Sequence, residues 1–286
     1  MGNLIALRRR IRSAKNISQI TKAMEMVSAS KMKKAQDQAL HSRPFTEKLG
    51  SMITSVSRGS FAKTHPLTRV TKTPSHIAIL LISTNKGLCG ALNVNLHKGL
   101  LEFIKTIPDK VKVDIITVGR RARTFVPQRE TFLKAAFNEL GETVTFEATR
   151  AISAYLLNAF TNKTYDTIHI IYPKFITTLK NEIKAMRLLP IALDSDTFSP
   201  SVDYQIDGNS NTLINELLPY EVEMTVYQTI LEARASEHSA RMVAMKNASD
   251  NAKELIGNLT LVYNQARQSQ VTSELLDVTT ARMALE

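Results

Sequence analysis

An α/β fold extended by a long antiparallel coiled coil is predicted from three features of this sequence. Glycines and prolines crowd into the middle of the chain, both ends carry apolar residues at helical spacing, and the middle alternates short apolar runs with helical patterns. This punctuation divides the 286 residues into an N-terminal coiled-coil helix over 1–58, a central α/β domain over 59–210 and a C-terminal coiled-coil helix over 211–286.

In the first segment Pro44 is the only proline and Gly50 the only glycine between Asn3 and Ser57. Leu4, Leu7, Ile11, Ala14, Ile17, Ile20, Met24 and Val27 follow in steps of three or four, a narrow stripe rather than a wide face. The last segment is stricter. Met245, Ala248, Ala252, Leu255, Leu259, Val262 and Ala266 alternate steps of three and four, and His238 falls on the same seam as a packing residue. Such a seam needs another helix along its length. At 1.5 Å per residue, helices of roughly 50 and 70 residues are about 75 and 105 Å long, longer than the central domain is wide, so one rod should protrude. Alanines on both stripes allow close approach. Because the chain folds back through its middle, antiparallel pairing within one molecule costs the least entropy; a homodimeric coiled coil satisfies the same periodicity. Pro44 and Pro219 should each kink or interrupt their helix.

The middle reads as a strand at His76–Ile82, a helix over 91–107, a strand over 111–118, a short helix from Arg120, a longer helix over 144–160, and strands over 167–172 and 182–189. Strands separated by helices give right-handed crossovers and a mostly parallel, Rossmann-like sheet flanked by helices. The last two strands lie too close for a helix between them and read as a hairpin.

A doubly wound sheet invites a nucleotide, but no G-x-G-x-x-G follows a strand and no G-x-x-x-x-G-K-[ST] occurs. Gly119 followed by Arg120, Arg121 and Arg123 could hold an anion or be a solvated basic face. Cys89, the single cysteine, excludes an intrachain disulfide and fits a reducing compartment. It lacks a visible His-plus-Asn or His-plus-Asp constellation, so it reads either as a nucleophile without its base or as a small buried residue in a tight turn. The six histidines are scattered without ligand spacing, so neither metal nor cofactor is expected. No apolar run approaches the roughly twenty residues of a spanning helix, and no signal or transit segment is expected at the start.

Charge is unevenly placed. Up to Lys48 there are eleven basic and three acidic residues, so +8 of the net +11 lies in that segment. Clustered Lys and Arg suit an acidic protein partner, or nucleic acid in an alternative reading as a basic coiled-coil nucleic-acid-binding protein. The absence of aromatic residues before Phe45, and of any tryptophan, leaves base stacking little to work with.

Four stretches together resemble the ATP synthase gamma family: Arg9-Arg-Ile-Arg-Ser-Ala-Lys-Asn16 running into Gln19-Ile-Thr-Lys-Ala-Met-Glu-Met-Val27; Lys86-Gly-Leu-Cys-Gly-Ala-Leu-Asn93; Ala235-Ser-Glu-His-Ser-Ala-Arg-Met-Val-Ala-Met-Lys-Asn-Ala-Ser-Asp-Asn-Ala252; and Tyr263-Asn-Gln-Ala-Arg-Gln268 with Val271-Thr-Ser-Glu-Leu-Leu-Asp277. The resemblance spans essentially the whole chain. It departs at Ala281-Arg282-Met283, where the family pattern has Gly-Ala.

The resemblance implies a rotor shaft without a catalytic site of its own. It would turn inside a ring of alpha and beta subunits and couple proton flow through a membrane c-ring to ATP synthesis or hydrolysis. It also implies an epsilon subunit at the foot and a peripheral place on the cytoplasmic face of a bacterial inner membrane. Carried over by position, Arg267 and Gln268 match residues that hydrogen-bond a beta-subunit loop, and Thr272 and Glu274 lie in the neighbouring signature. Lys22 and Met24 match positions facing the acidic beta lever, and Arg241 lies in the matched Ser-Glu-His-Ser-Ala-Arg segment.

Overall fold

The computed structural model describes residues 2–56, 64–126, 133–138, 140–141, 143–192 and 210–283. In chain order these form α1 (Gly2–Val56), a 3-10 turn (Pro66–Thr68), β1 (His76–Ile82), α2 (Leu92–Lys105), β2 (Lys112–Val118) and α3 (Ala122–Phe125). They continue with β3 (Leu133–Phe137), α4 (Phe146–Thr161), β4 (Thr167–Phe175), β5 (Asn181–Leu189) and α5 (Ser210–Met283). Contacts group the chain into two compact units, residues 1–28 with 241–286, and residues 29–240.

The larger unit is built on a five-stranded sheet of order β3-β2-β1-β4-β5. β1 pairs in parallel with β2 and β4, β2 with β3, and β5 closes the edge antiparallel to β4. The expected mostly parallel sheet and terminal hairpin are therefore present. β1 is central, and its alternation splits two cores: Ala78, Leu80 and Ile82 join α4 and the first third of α5 in one, while Ile77, Ile79 and Leu81 join Leu96 and Leu100 of α2 in the other. β3 was not foreseen. Its sequence Leu-Lys-Ala-Ala-Phe is short, alanine-rich and only half-buried, because it is an edge strand with one neighbour.

Both long helices run through their prolines without a break, so the expected interruption does not occur. The residues that follow the prolines, Phe45 and Tyr220, meet edge to face at 6.0 Å. Pro44 and Pro219 thus sit at one level of the helix pair. Gln228 Nε2 donates to Ala39 O at 3.2 Å, and Ser42 Oγ donates to Gln228 Oε1 at 2.5 Å. Advancing from Ala39 to Phe45 on α1 means retreating from Gln228 to Tyr220 on α5, which is antiparallel pairing within one molecule.

In the smaller unit the seam differs from the expected stripe. The residues turned inward on α1 are Leu4, Leu7, Ile11, Ala14, Ser18, Thr21, Glu25 and Ser28, and on α5 Met245, Ser249, Ala252, Ile256, Leu259, Tyr263, Ala266 and Gln270. Ile17, Ile20 and Val27 are instead about half exposed, at 50%, 59% and 54%, as are Leu255 and Val262. The reason is rotational. Ala14, Ile17, Ile20 takes two successive steps of three, which turn the stripe by about −120°, whereas alternating three and four drifts only about −20° per heptad. On α5 both alternations were open, because Ala248/Ser249, Leu255/Ile256 and Val262/Tyr263 are neighbouring pairs. Polar seam residues are tolerated because Thr21 Oγ1 donates to Ile17 O at 2.9 Å and Ser249 Oγ reaches Ser18 O at 3.5 Å. Ala252→Leu should therefore overpack the pair and cost about 1–3 kcal/mol, while Leu255→Gln should change the stability of the free chain by less than about 0.5 kcal/mol. Urea unfolding of the two variants distinguishes them.

Candidate partner-contact surface on the helix pair

All seven sequence-predicted contact residues lie in the unit of residues 1–28 and 241–286, in two clusters. Arg241 to Arg267 is about 39 Å along a helix. Near the first level, Lys22 is exposed and its Nζ lies 3.1 Å from both Glu25 carboxylate oxygens. Met24 is half-buried and Arg241 is buried, with 7% of its surface accessible. In the same basic stretch Lys33 pairs with Asp37 at 3.0 Å. Part of its positive charge is therefore matched on its own helix at i+3 and i+4 spacing.

In the second cluster Arg267, Gln268, Thr272 and Glu274 are all exposed. Thr272 Oγ1 donates to Gln268 O at 2.9 Å, and Gln270 Nε2 donates to Glu274 Oε1 at 2.9 Å. Gln265, Gln268, Ser269, Thr272, Ser273 and Leu276 line one shallow concavity. Beyond Gln270 every described residue, over 271–283, is exposed, including Leu275 at 62%, Leu276 at 61% and Val278 at 67%. Apolar side chains displayed on an exposed helix end are a surface waiting to be covered.

The glycine-rich loop after β1 is a packed turn. Cys89 is buried and receives a hydrogen bond from Asn93 Nδ2 at 3.2 Å, while Asn93 Nδ2 also donates to Thr84 Oγ1 at 2.9 Å. Leu88 and Gly90 on either side take left-handed backbone, with φ of 62° and 57°. Arg121 lies against Gly87, where a Cβ would stand 2.8 Å from its Nη2. No group of three or more His, Cys, Asp or Glu able to hold a metal occurs among the described residues, nor does any helix long and apolar enough to cross a membrane.

Sequence reasoning missed a second polar cluster, where α5 meets the sheet domain in the larger unit. Arg234 Nη1 contacts Glu237 Oε2 at 3.0 Å and its Nη2 donates to Leu140 O at 3.2 Å. Ser236 Oγ donates to Pro173 O at 2.9 Å, and Ser239 Oγ donates to Thr178 O. Tyr172 OH donates to Glu232 Oε2 at 3.2 Å. The available signal was the density of small and charged residues over 232–239, where a helix buried against a sheet should carry apolar ones. Further back on α5, burial pushes the Glu221 carboxyl up to about 7, and its Oε2 has no hydrogen-bond partner among the described residues.

A helix pair with an uncovered end, in a chain that also carries a sheet domain, defines a structural subunit that presents a helical surface to partners. A family model described as ATP synthase matches residues 3–285. The ATP synthase gamma chain of Dehalococcoides mccartyi is 41% identical over the full length of both chains. That of Herpetosiphon aurantiacus is 39% identical over 100% of this chain and 99% of the relative. Among solved structures, a chain of the central stalk and c-ring of Tetrahymena thermophila mitochondrial ATP synthase superimposes with a TM-score of 0.64 at 26% identity, covering 80% of this chain and 99% of that one. A chain of Euglena gracilis mitochondrial ATP synthase superimposes with a TM-score of 0.69 at 22% identity, covering 99% and 95%, and so shares the fold. This chain belongs to the ATP synthase gamma chain family.

Proposed function

We propose that this chain is the central rotor shaft of an ATP synthase, turning within a head of alpha and beta subunits and coupling proton flow through a c-ring to ATP synthesis or hydrolysis. The observation that carries this reading is the end of α5, where Leu275, Leu276 and Val278 are exposed. A ring of subunits closing around that helix would bury them. The half-exposed Ile17, Ile20 and Val27 give α1 a second apolar strip for the same purpose.

The coupling is by differential contact. A shaft whose faces differ presents each beta subunit with different side chains, and only such differences can hold identical sites in different states. The chain supplies no catalytic group: its chemistry is that of Arg267, Gln268, Thr272 and Glu274 contacting a beta-subunit loop, with Lys22, Met24 and Arg241 at a lower level. In this reading the helices over 1–58 and 211–286 form the shaft. The central domain over 59–210 meets the epsilon subunit and the c-ring, on the cytoplasmic face of a bacterial inner membrane.

Arg267→Ala tests the upper contact. Loss of one charge-assisted hydrogen bond is worth about 1.5–3 kcal/mol, so ATP-driven proton pumping in the assembled complex should fall about tenfold while the complex still assembles. Unchanged pumping would remove Arg267 from the contact.

A further inference from the structure

We infer that the buried polar cluster formed by Arg234, Ser236, Glu237 and Ser239 is a torsional clamp, which fixes α5 to the sheet domain so that a turn of one becomes a turn of the other. The inference rests on the rotor reading and adds to it the place where torque passes between the domain and the helix.

The geometry argues for a clamp rather than ordinary packing. The four side chains occupy less than two turns of α5, and three of them, Arg234, Ser236 and Ser239, grip three separate segments: Leu140 O, Pro173 O at the end of β4, and Thr178 O in the turn between β4 and β5. Three acceptors are backbone carbonyls, which cannot swing aside as side chains do. Three of the four are buried, with Ser236 at 0%, Ser239 at 2% and Glu237 at 3% exposure, and Arg234 is partly buried. Apolar contacts are non-directional and set no bond angle of their own. Hydrogen bonds lose strength steeply as their angle opens, and inside a low-dielectric core each group left unpaired by a slip is penalised. A helix that must not rotate against its bed is therefore better held by directional bonds on several sides. The Arg234–Glu237 pair at 3.0 Å keeps both groups satisfied in place, and Tyr172 OH to Glu232 Oε2 at 3.2 Å adds a further tie to β4.

The test compares the complete complex reconstituted in vesicles with the detached head. Ser236→Ala with Ser239→Ala removes two of the ties with little change of volume. Hydrolysis by the detached head, which turns the chain against no load, should stay within about twofold of wild type. ATP-driven proton pumping, which sends torque through the cluster, should fall about fivefold or more. A second variant guards against simple misfolding: Thr178→Cys with Ser239→Cys, bridged by oxidation or a short bifunctional maleimide. Because the clamp holds these positions together throughout a turn, bridging should leave pumping intact, and adding the bridge to Glu237→Gln should restore the pumping that Glu237→Gln lowers. Wild-type pumping in the double-alanine variant, or loss of pumping on bridging, would overturn the clamp. Failure of the rotor reading is separate: it would appear as pumping in complexes that lack this chain altogether.

Discussion

Replacing Glu221 by glutamine should stabilise the chain by about 3 kcal/mol at pH 8 and change it little at pH 4. Burial raises the folded-state pKa of this carboxyl from 4.5 to about 7. The sign follows from proton uptake. Between these two values the folded state holds a proton that the unfolded state has released, so stability falls as pH rises from about 4.5 to about 7 and is flat beyond. Glutamine cannot ionise and removes that loss. The buried Oε2, without a partner among the described residues, leaves the charged form uncompensated. Urea titrations of both proteins at pH 4, 6 and 8 measure the difference. A constant gap at all three values would mean that Glu221 does not change protonation on unfolding.

Gly119→Ala should destabilise the chain by about 3 kcal/mol or more, from left-handed strain and overpacking together. Gly119 has φ of +91°, and a Cβ there would stand 2.5 Å from Ser83 O and 3.0 Å from Ser83 C, both backbone atoms. Neither side can give way easily. Gly119 N donates to Phe137 O at 2.9 Å and Ser83 N donates to Val118 O at 2.8 Å, so both are tied into the ends of the parallel sheet. Ser83 Oγ also accepts from Ala122 N at 2.7 Å, fixing the start of α3. Gly257→Ala is the control. Nothing lies within 4 Å of its Cβ position, and in the interior of α5 alanine should stabilise by up to about 1 kcal/mol. Thermal melts that rank the two substitutions in the opposite order would contradict this account.

Much of the architecture was legible because it is written in period and punctuation. The apolar run of β1, buried on both faces, and the hairpin of β4 and β5 could be read directly. The choice of seam could not, since Ile17 and Ser18, or Leu255 and Ile256, differ by only 100° around a helix and only the partner decides which turns inward. β3 was hidden because an edge strand needs little hydrophobicity. The contact residues Arg267 to Glu274 were reached through resemblance, as four polar residues on an exposed helix carry no signal of their own. The cluster of Arg234, Ser236, Glu237 and Ser239 escaped notice because its partners are carbonyls, which every sequence possesses.

The rotor reading is tested most directly by watching the chain turn. With alpha and beta subunits fixed to a surface and a probe attached to the sheet domain, ATP should drive continuous rotation of the probe in one direction, with hydrolysis slowing as the load on the probe is raised. A probe that stays still while the same complexes hydrolyse ATP at full rate would contradict it.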